Sequence, residues 1–121
     1  MDTNNVEMKT KRLRFALDLK NDPELIRQYE VHHENVWPEI IASIKDAGIV
    51  ALEIYRTSNR LFMIMETNEN FSLEAKSKSD AANAMVQKWE ALMWDYQQAL
   101  PAARPGEKWI LMNKIFDLSA Y

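Results

Sequence analysis

Tyr29, His33 and Trp37 stand at every fourth position of "YEVHHENVWPE" (29–39), with His32 beside His33. These are the only two histidines in 121 residues. A helix turns about 100° per residue, so Tyr29 and His33 share one face a single turn apart. His33 falls near the centre of an apolar stripe, and His32 falls about 100° away at its polar edge. An imidazole with an ordinary pKa of about 6.5, close to a phenol, has the makings of a general acid or base at neutral pH. The helix dipole at the end of this segment would favour the protonated ring, while burial would oppose it. The plainer reading is a core histidine hydrogen-bonded to backbone, and from the pattern alone both stand. The same alternative holds for Tyr29 and Trp37, and for Trp89, Trp94, Tyr96 and Trp109, as core or interface aromatics.

Other chemistries are excluded by what the chain lacks. His32 and His33 diverge on a helix and no third ligand stands at a suggestive spacing, so no metal site is expected. There is no cysteine, hence no disulfide, thiolate nucleophile or cysteine-bound metal. Gly48 and Gly106 are the only glycines, too few for a phosphate-cradling loop, and no Ser-His-Asp arrangement with an elbow motif occurs. The seven methionines suggest an adaptable core.

The whole chain has the length of one domain, assigned to residues 12–121 behind an N-terminal tail, 1–11. Apolar residues make up 47% and charged residues 27%, the balance of a soluble globular protein. With 15 Lys and Arg against 18 Asp and Glu the net charge is −3, which favours neither nucleic acid nor an anionic membrane. The small basic cluster Lys9, Lys11, Arg12 and Arg14 reads as a solvated strand edge. "MDTNNVEM" lacks the apolar core of a signal peptide and no run approaches a membrane span, so a cytoplasmic protein is expected.

The elements that must position the histidine segment follow from periodicity. "RLRFALDLK" (12–20) alternates as a half-buried strand, with Leu13, Phe15, Leu17 and Leu19 on one side. Asp22 and Pro23 open a helix as N-cap and first residue. Pro38 must kink or restart that helix, and Gly48 caps the second piece. "IVALEIY" (49–55) and "RLFMIME" (60–66) form a hairpin around "RTSN". The spacing of Ala82, Met85, Trp89, Leu92, Met93, Tyr96 and Leu100 predicts a helix over about 80–100. "KWILMNKIFDL" (108–118) closes the chain as a strand. The order β-α-β-β-α-β is the ferredoxin-like split arrangement, an antiparallel four-stranded sheet with two helices on one face. An open sheet face rich in Leu, Ile and Phe would need a partner, so a homodimer joined sheet to sheet is expected.

"YEVHHENVWPEI" resembles the Tyr-x-x-x-His-x-x-x-Trp-Pro-Glu segment of the L-rhamnose mutarotase family, small dimeric α+β barrel proteins. The resemblance runs from about Arg12 to the last strand and takes in "KDAG", "NRLFMIME" and "QKWEALM". It implies a cofactor-free isomerase that interconverts the α and β anomers of a 6-deoxy sugar, with a monosaccharide as its small-molecule partner. By position, the family's catalytic histidine falls on His33, its sugar-binding tyrosine on Tyr29, and the first of two sugar-contacting tryptophans on Trp89. His32 matches a non-catalytic position, and Trp37 ends the motif as a further candidate contact. Two positions depart from the family: the second tryptophan is Glu90, and a sugar-contacting tyrosine is Leu52. They make L-fucose a candidate beside L-rhamnose. Cofactor-free monooxygenases and haem-binding enzymes share this barrel, and a non-catalytic sugar-binding module is a third reading.

Overall fold

The computed structural model describes residues 9–121, so most of the expected tail, 1–8, lies outside the described residues. The first strand, β1 (Thr10–Leu19), starts within the stretch assigned to that tail. Two helices follow, α1 (Pro23–His32) and α2 (Pro38–Asp46), then the hairpin strands β2 (Ile49–Thr57) and β3 (Arg60–Asn68). Next come α3 (Leu73–Ala81) and α4 (Ala84–Trp94), and two short strands, β4 (Gln97–Gln98) and β5 (Ile110–Leu111). All strand pairs are antiparallel in the order β2-β3-β1-β4, and β5 shares the outer edge of β1 with β4. This is the expected α+β arrangement, with a pair of helices in place of each of the two expected ones. Among the described residues no helix is long and apolar enough to cross a membrane.

The alternation of β1 and β3 decides which face is covered. Leu17, Leu19, Leu61, Met63 and Met65 are buried under the helices. One core joins Leu19 and Leu61 to Tyr29, Ile40, Val86, Trp89 and Met93, and a second gathers Phe15, Ile49, Met63, Met65 and Phe71. The expected apolar richness of the sheet is thus spent on its helix side. The other face mixes Ala16, Phe62, Ile64 and Tyr55 with Arg12, Arg14, Glu53 and Glu66, by the register of the strands. Arg60 and Asp18, directly opposed across β1 and β3, form a two-pronged ion pair at 2.7 and 3.0 Å.

Breaks in the chain have local causes. The Asp22 carboxylate accepts from the N–H groups of Glu24 and Leu25, with Pro23 at the first helical position. Pro38 restarts the helix as α2, since it offers no N–H to continue α1. Gly48 takes φ +95° just past α2, and a β-carbon there would stand 2.7 Å from the Asn68 Oδ1. Only Ser58 and Asn59 turn the hairpin, so its strands outrun the expected ones at the "RTSN" end.

The single helix expected over 80–100 is not formed. Asn83 adopts an extended conformation and its amide oxygen caps α4 through the N–H groups of Met85 and Val86. The piece before it, α3, is mostly polar and lacks a buried residue, so no apolar period announces it. Ion pairs one turn apart support it, Lys76–Asp80 at 2.8 Å and Lys78–Glu74 at 3.3 Å. Beyond Trp94 the chain leaves the helix because an edge of β1 is free to pair. Gln97 and Gln98 oppose Leu19 and Asp18, and the Lys20 N–H donates to Tyr96 O at 2.8 Å. The expected closing strand 108–118 forms only the short strand Ile110–Leu111, with one further backbone bond from the Met112 N–H to Arg14 O at 2.8 Å. It ends in a single 3-10 turn, Leu118–Ala120, capped by Asp117.

Candidate active site

α1 delivers Tyr29 and His33 to the same place. Tyr29 is 3% exposed. His33 immediately follows the helix yet keeps helical angles (φ −84°, ψ −6°), so the helical wheel extends to it. Their rings lie 4.4 Å apart. The His33 Nδ1 is 2.9 Å from the carbonyl oxygen of Tyr29. A carbonyl only accepts, so Nδ1 carries a proton, and in the neutral ring Nε2 holds the lone pair. Burial holds the His33 pKa below the ordinary 6.5, against the pull of that backbone hydrogen bond and with some help from His32. Burial thus prevails over the influences that favour the protonated ring. Tyr29 is pushed up to about 12, by burial first, against the Gln97 hydrogen bond and with the charge of Glu90 adding to it. At neutral pH a neutral imidazole base and a protonated phenol therefore sit side by side.

Both line a cavity of about 620 Å³ between the helices and the sheet, within the range of roughly 300–1,000 Å³ usual for small-molecule sites. Trp89 of α4 forms another part of the wall, its ring edge-on to His33 at 5.7 Å. Leu52 of β2 lines it from the sheet. Trp37 is not on the wall; it packs edge-on against Trp89 at 5.1 Å and so buttresses it. His32 is also off the wall, with its Nε2 3.1 Å from the Tyr96 hydroxyl. Glu90 lines the cavity and is paired with Lys108, which also lies 4.8 Å over the Trp94 ring. Lys76 and Asp80, ion-paired on α3, complete a charged stretch of the lining.

Four of these wall residues were not singled out in the sequence: Lys76, Asp80, Gln97 and Lys108. Gln97 left a signal, for it stands four residues after Met93 and eight after Trp89, a polar residue on an otherwise apolar period. Lys108 left none, because its approach to Glu90 depends on how the irregular segment 99–109 folds back.

An antiparallel sheet with split helices on one face, holding an imidazole and a phenol side by side on the wall of a cavity of this size, defines a small α+β protein with a small-molecule site. Residues 12–118 match the family model described as L-rhamnose mutarotase. The chain is 48% identical over 114 residues to an L-fucose mutarotase of Xanthomonas campestris pv. campestris, covering 93% of this chain and 91% of that one. It is 33% identical to an L-rhamnose mutarotase of Phocaeicola vulgatus, covering 78% and 84% of the two chains. The crystal structure of an L-rhamnose mutarotase from Formosa agariphila shares the fold. Its TM-score is 0.66 at 24% identity, over 89% of this chain and 98% of that one. The chain belongs to the L-rhamnose mutarotase family. It is a carbohydrate isomerase that interconverts sugar anomers.

Proposed function

We propose that the substrate is a 6-deoxy-L-hexose, that L-fucose is exchanged at least as fast as L-rhamnose, and that His33 is the principal acid/base. The observation that carries the reading is the neutral imidazole beside the protonated Tyr29 phenol on the cavity wall. His33 Nε2 takes the proton of the anomeric hydroxyl while a second group, the protonated Tyr29 phenol or a water, gives a proton to the ring oxygen, and the C1–O bond of the ring breaks to leave an open aldehyde. Rotation about C1–C2 presents the other face of the carbonyl. The hydroxyl oxygen re-adds and gives its proton back to that second group, the imidazolium returns its own to the carbonyl oxygen, and the other anomer forms with no net change in protons. Tyr29 holds an oxygen of the sugar through its O–H and assists the relay. Trp89 offers an apolar face to the C–H side of the sugar, and Trp37 keeps it in place.

The preference for L-fucose rests on Glu90 and Leu52, and it accords with the name of the 48% identical relative. Glu90 supplies a carboxylate that accepts hydroxyl protons, and its partner Lys108 fixes its direction. Leu52 provides no polar handle and leaves room on the sheet side. A site that hydrogen-bonds a hydroxyl discriminates more strongly than one that packs against carbon, because the wrong isomer leaves a polar group unpaired. The test is saturation-transfer NMR between anomer signals for both sugars, with wild type, Glu90→Gln and Glu90→Trp. Both substitutions are expected to lower the fucose-to-rhamnose rate ratio. A strong preference for L-rhamnose that neither substitution changes removes Glu90 as a specificity residue and ends the fucose reading.

The chain also works as a homodimer on this reading. Support comes from Ile115, Phe116, Leu118 and Tyr121, which are 95, 65, 74 and 95% exposed, together with Tyr55 on the uncovered sheet face. So much exposed apolar surface is unusual for a monomer. A dimer by sedimentation at micromolar concentration is the expected result, and a monomer rules it out.

A further inference from the structure

Gln97 is 4% exposed, and its Oε1 is a buried side-chain oxygen that lacks a hydrogen-bond partner among the described residues. Buried side-chain polar atoms are paired in the large majority of cases. The exception here lies in the site: Gln97 lines the same cavity as His33, Trp89 and Glu90. Its other amide atom, Nε2, donates to the Tyr29 Oη at 3.4 Å. Backbone pairing with Leu19 fixes the residue on the edge of β1. The terminal torsion of glutamine is broad and soft, and the side-chain hydrogen bond that Gln97 makes among the described residues, to Tyr29, is long at 3.4 Å.

These positions divide the work of one amide. A phenol oxygen that already accepts from the Gln97 N–H keeps its own proton for a ligand. The amide oxygen, turned toward the cavity, accepts a hydroxyl proton and gains the partner that it lacks. We infer that Gln97 is a specificity-determining residue of this site, accepting a ring hydroxyl of the bound sugar on Oε1 while its N–H holds the Tyr29 hydroxyl. The inference rests on the proposed 6-deoxy-L-hexose substrate.

The experiment compares catalysed anomer exchange of L-fucose with that of its 2-, 3- and 4-deoxy analogues, in wild type and in Gln97→Met. In wild type, loss of the hydroxyl read by Gln97 should lower kcat/KM by about ten-fold. In Gln97→Met that penalty should vanish for this one analogue and persist for the others, with KM for L-fucose raised about ten-fold. An unchanged analogue profile in Gln97→Met overturns the inference. A second measurement holds even where Gln97→Met fails to fold: the side-chain amide signals of Gln97 in wild type, identified by their absence from Gln97→Glu. They should shift when L-fucose is titrated in, and signals that stay fixed at saturating sugar overturn the inference. Failure of the substrate reading looks different, since wild type would then leave L-fucose and all three analogues at the buffer rate of exchange.

Discussion

The two ends of the cavity are built on opposite principles. Tyr29, His33 and Trp89 form an aromatic end, with Tyr29 and Trp89 sunk in the same core as Leu19 and Met93 and half-buried His33 against them, where burial shifts both titrating groups toward their neutral forms. Glu90, Lys108, Lys76 and Asp80 form a charged end, where each charge keeps its opposite within reach. Low polarity keeps His33 neutral at neutral pH; paired charge gives directional groups. On the proposed reading, proton transfer belongs to the first end, and the choice of sugar is shared between Glu90 at the second and Gln97 beside Tyr29.

The sharpest way to break this division is His33→Ala. General acid–base groups contribute roughly 10²- to 10⁴-fold, so catalysed exchange should fall by about that factor. The circular dichroism spectrum should hold, because the lost hydrogen bond to Tyr29 O is local. A residual rate within a few-fold of wild type would move the chemistry elsewhere. Next in size is Trp89→Ala. Trp89 is both wall and core, so a loss of about 3–5 kcal/mol of stability is expected on denaturant unfolding, with KM raised for both sugars.

At the charged end, Lys108→Met should leave His33 working and change selectivity. It frees Glu90 from its partner, so the fucose-to-rhamnose ratio should move by a few-fold while the pH profile stays put. A shifted profile with an unchanged ratio would reverse the roles given to the two ends. The smallest effect belongs to His32→Ala. That residue bonds Tyr96 away from the cavity, so exchange should be unaltered and stability should drop by about 1 kcal/mol. A rate loss equal to that of His33→Ala would contradict the helical wheel.

The contrast also marks what the amino-acid order reveals. Asp22, Pro23, Pro38 and Gly48 act on their immediate neighbours, so the ends of α1 and α2 could be read from single residues. Tyr29 and His33 are one helical turn apart, and local geometry alone brings them together. The charged end is different in kind. α3 has no apolar face to betray it, and Asn83 as a cap interrupts a period that otherwise continues to Leu100. Gln97 leaves the helix because β1 offers it an edge, and Lys108 meets Glu90 only after the intervening loop returns. Contacts set by tertiary pairing do not show in a period of 3.6 or 2.

The neutral, Nδ1-protonated His33 of the aromatic end is the central claim, and its own titration tests it most directly. The folded pKa lies below 6.5, so acid should both silence the base and destabilise the fold, which binds that proton less readily than the unfolded chain does. Stability from this group is complete above about pH 6.5 and is lost as pH falls toward the lowered value. Tyr29 acts with the opposite sign, its contribution present below about pH 10 and lost as pH rises toward about 12. The measurement is 15N NMR of the His33 ring across pH 4–8, beside the anomer exchange rate in the same samples. The expected result is a protonated Nδ1 and bare Nε2 at pH 7, with a midpoint below 6.5 that coincides with the acid limb of the exchange rate. A proton on Nε2 at pH 7, or a midpoint above 6.5, would contradict it.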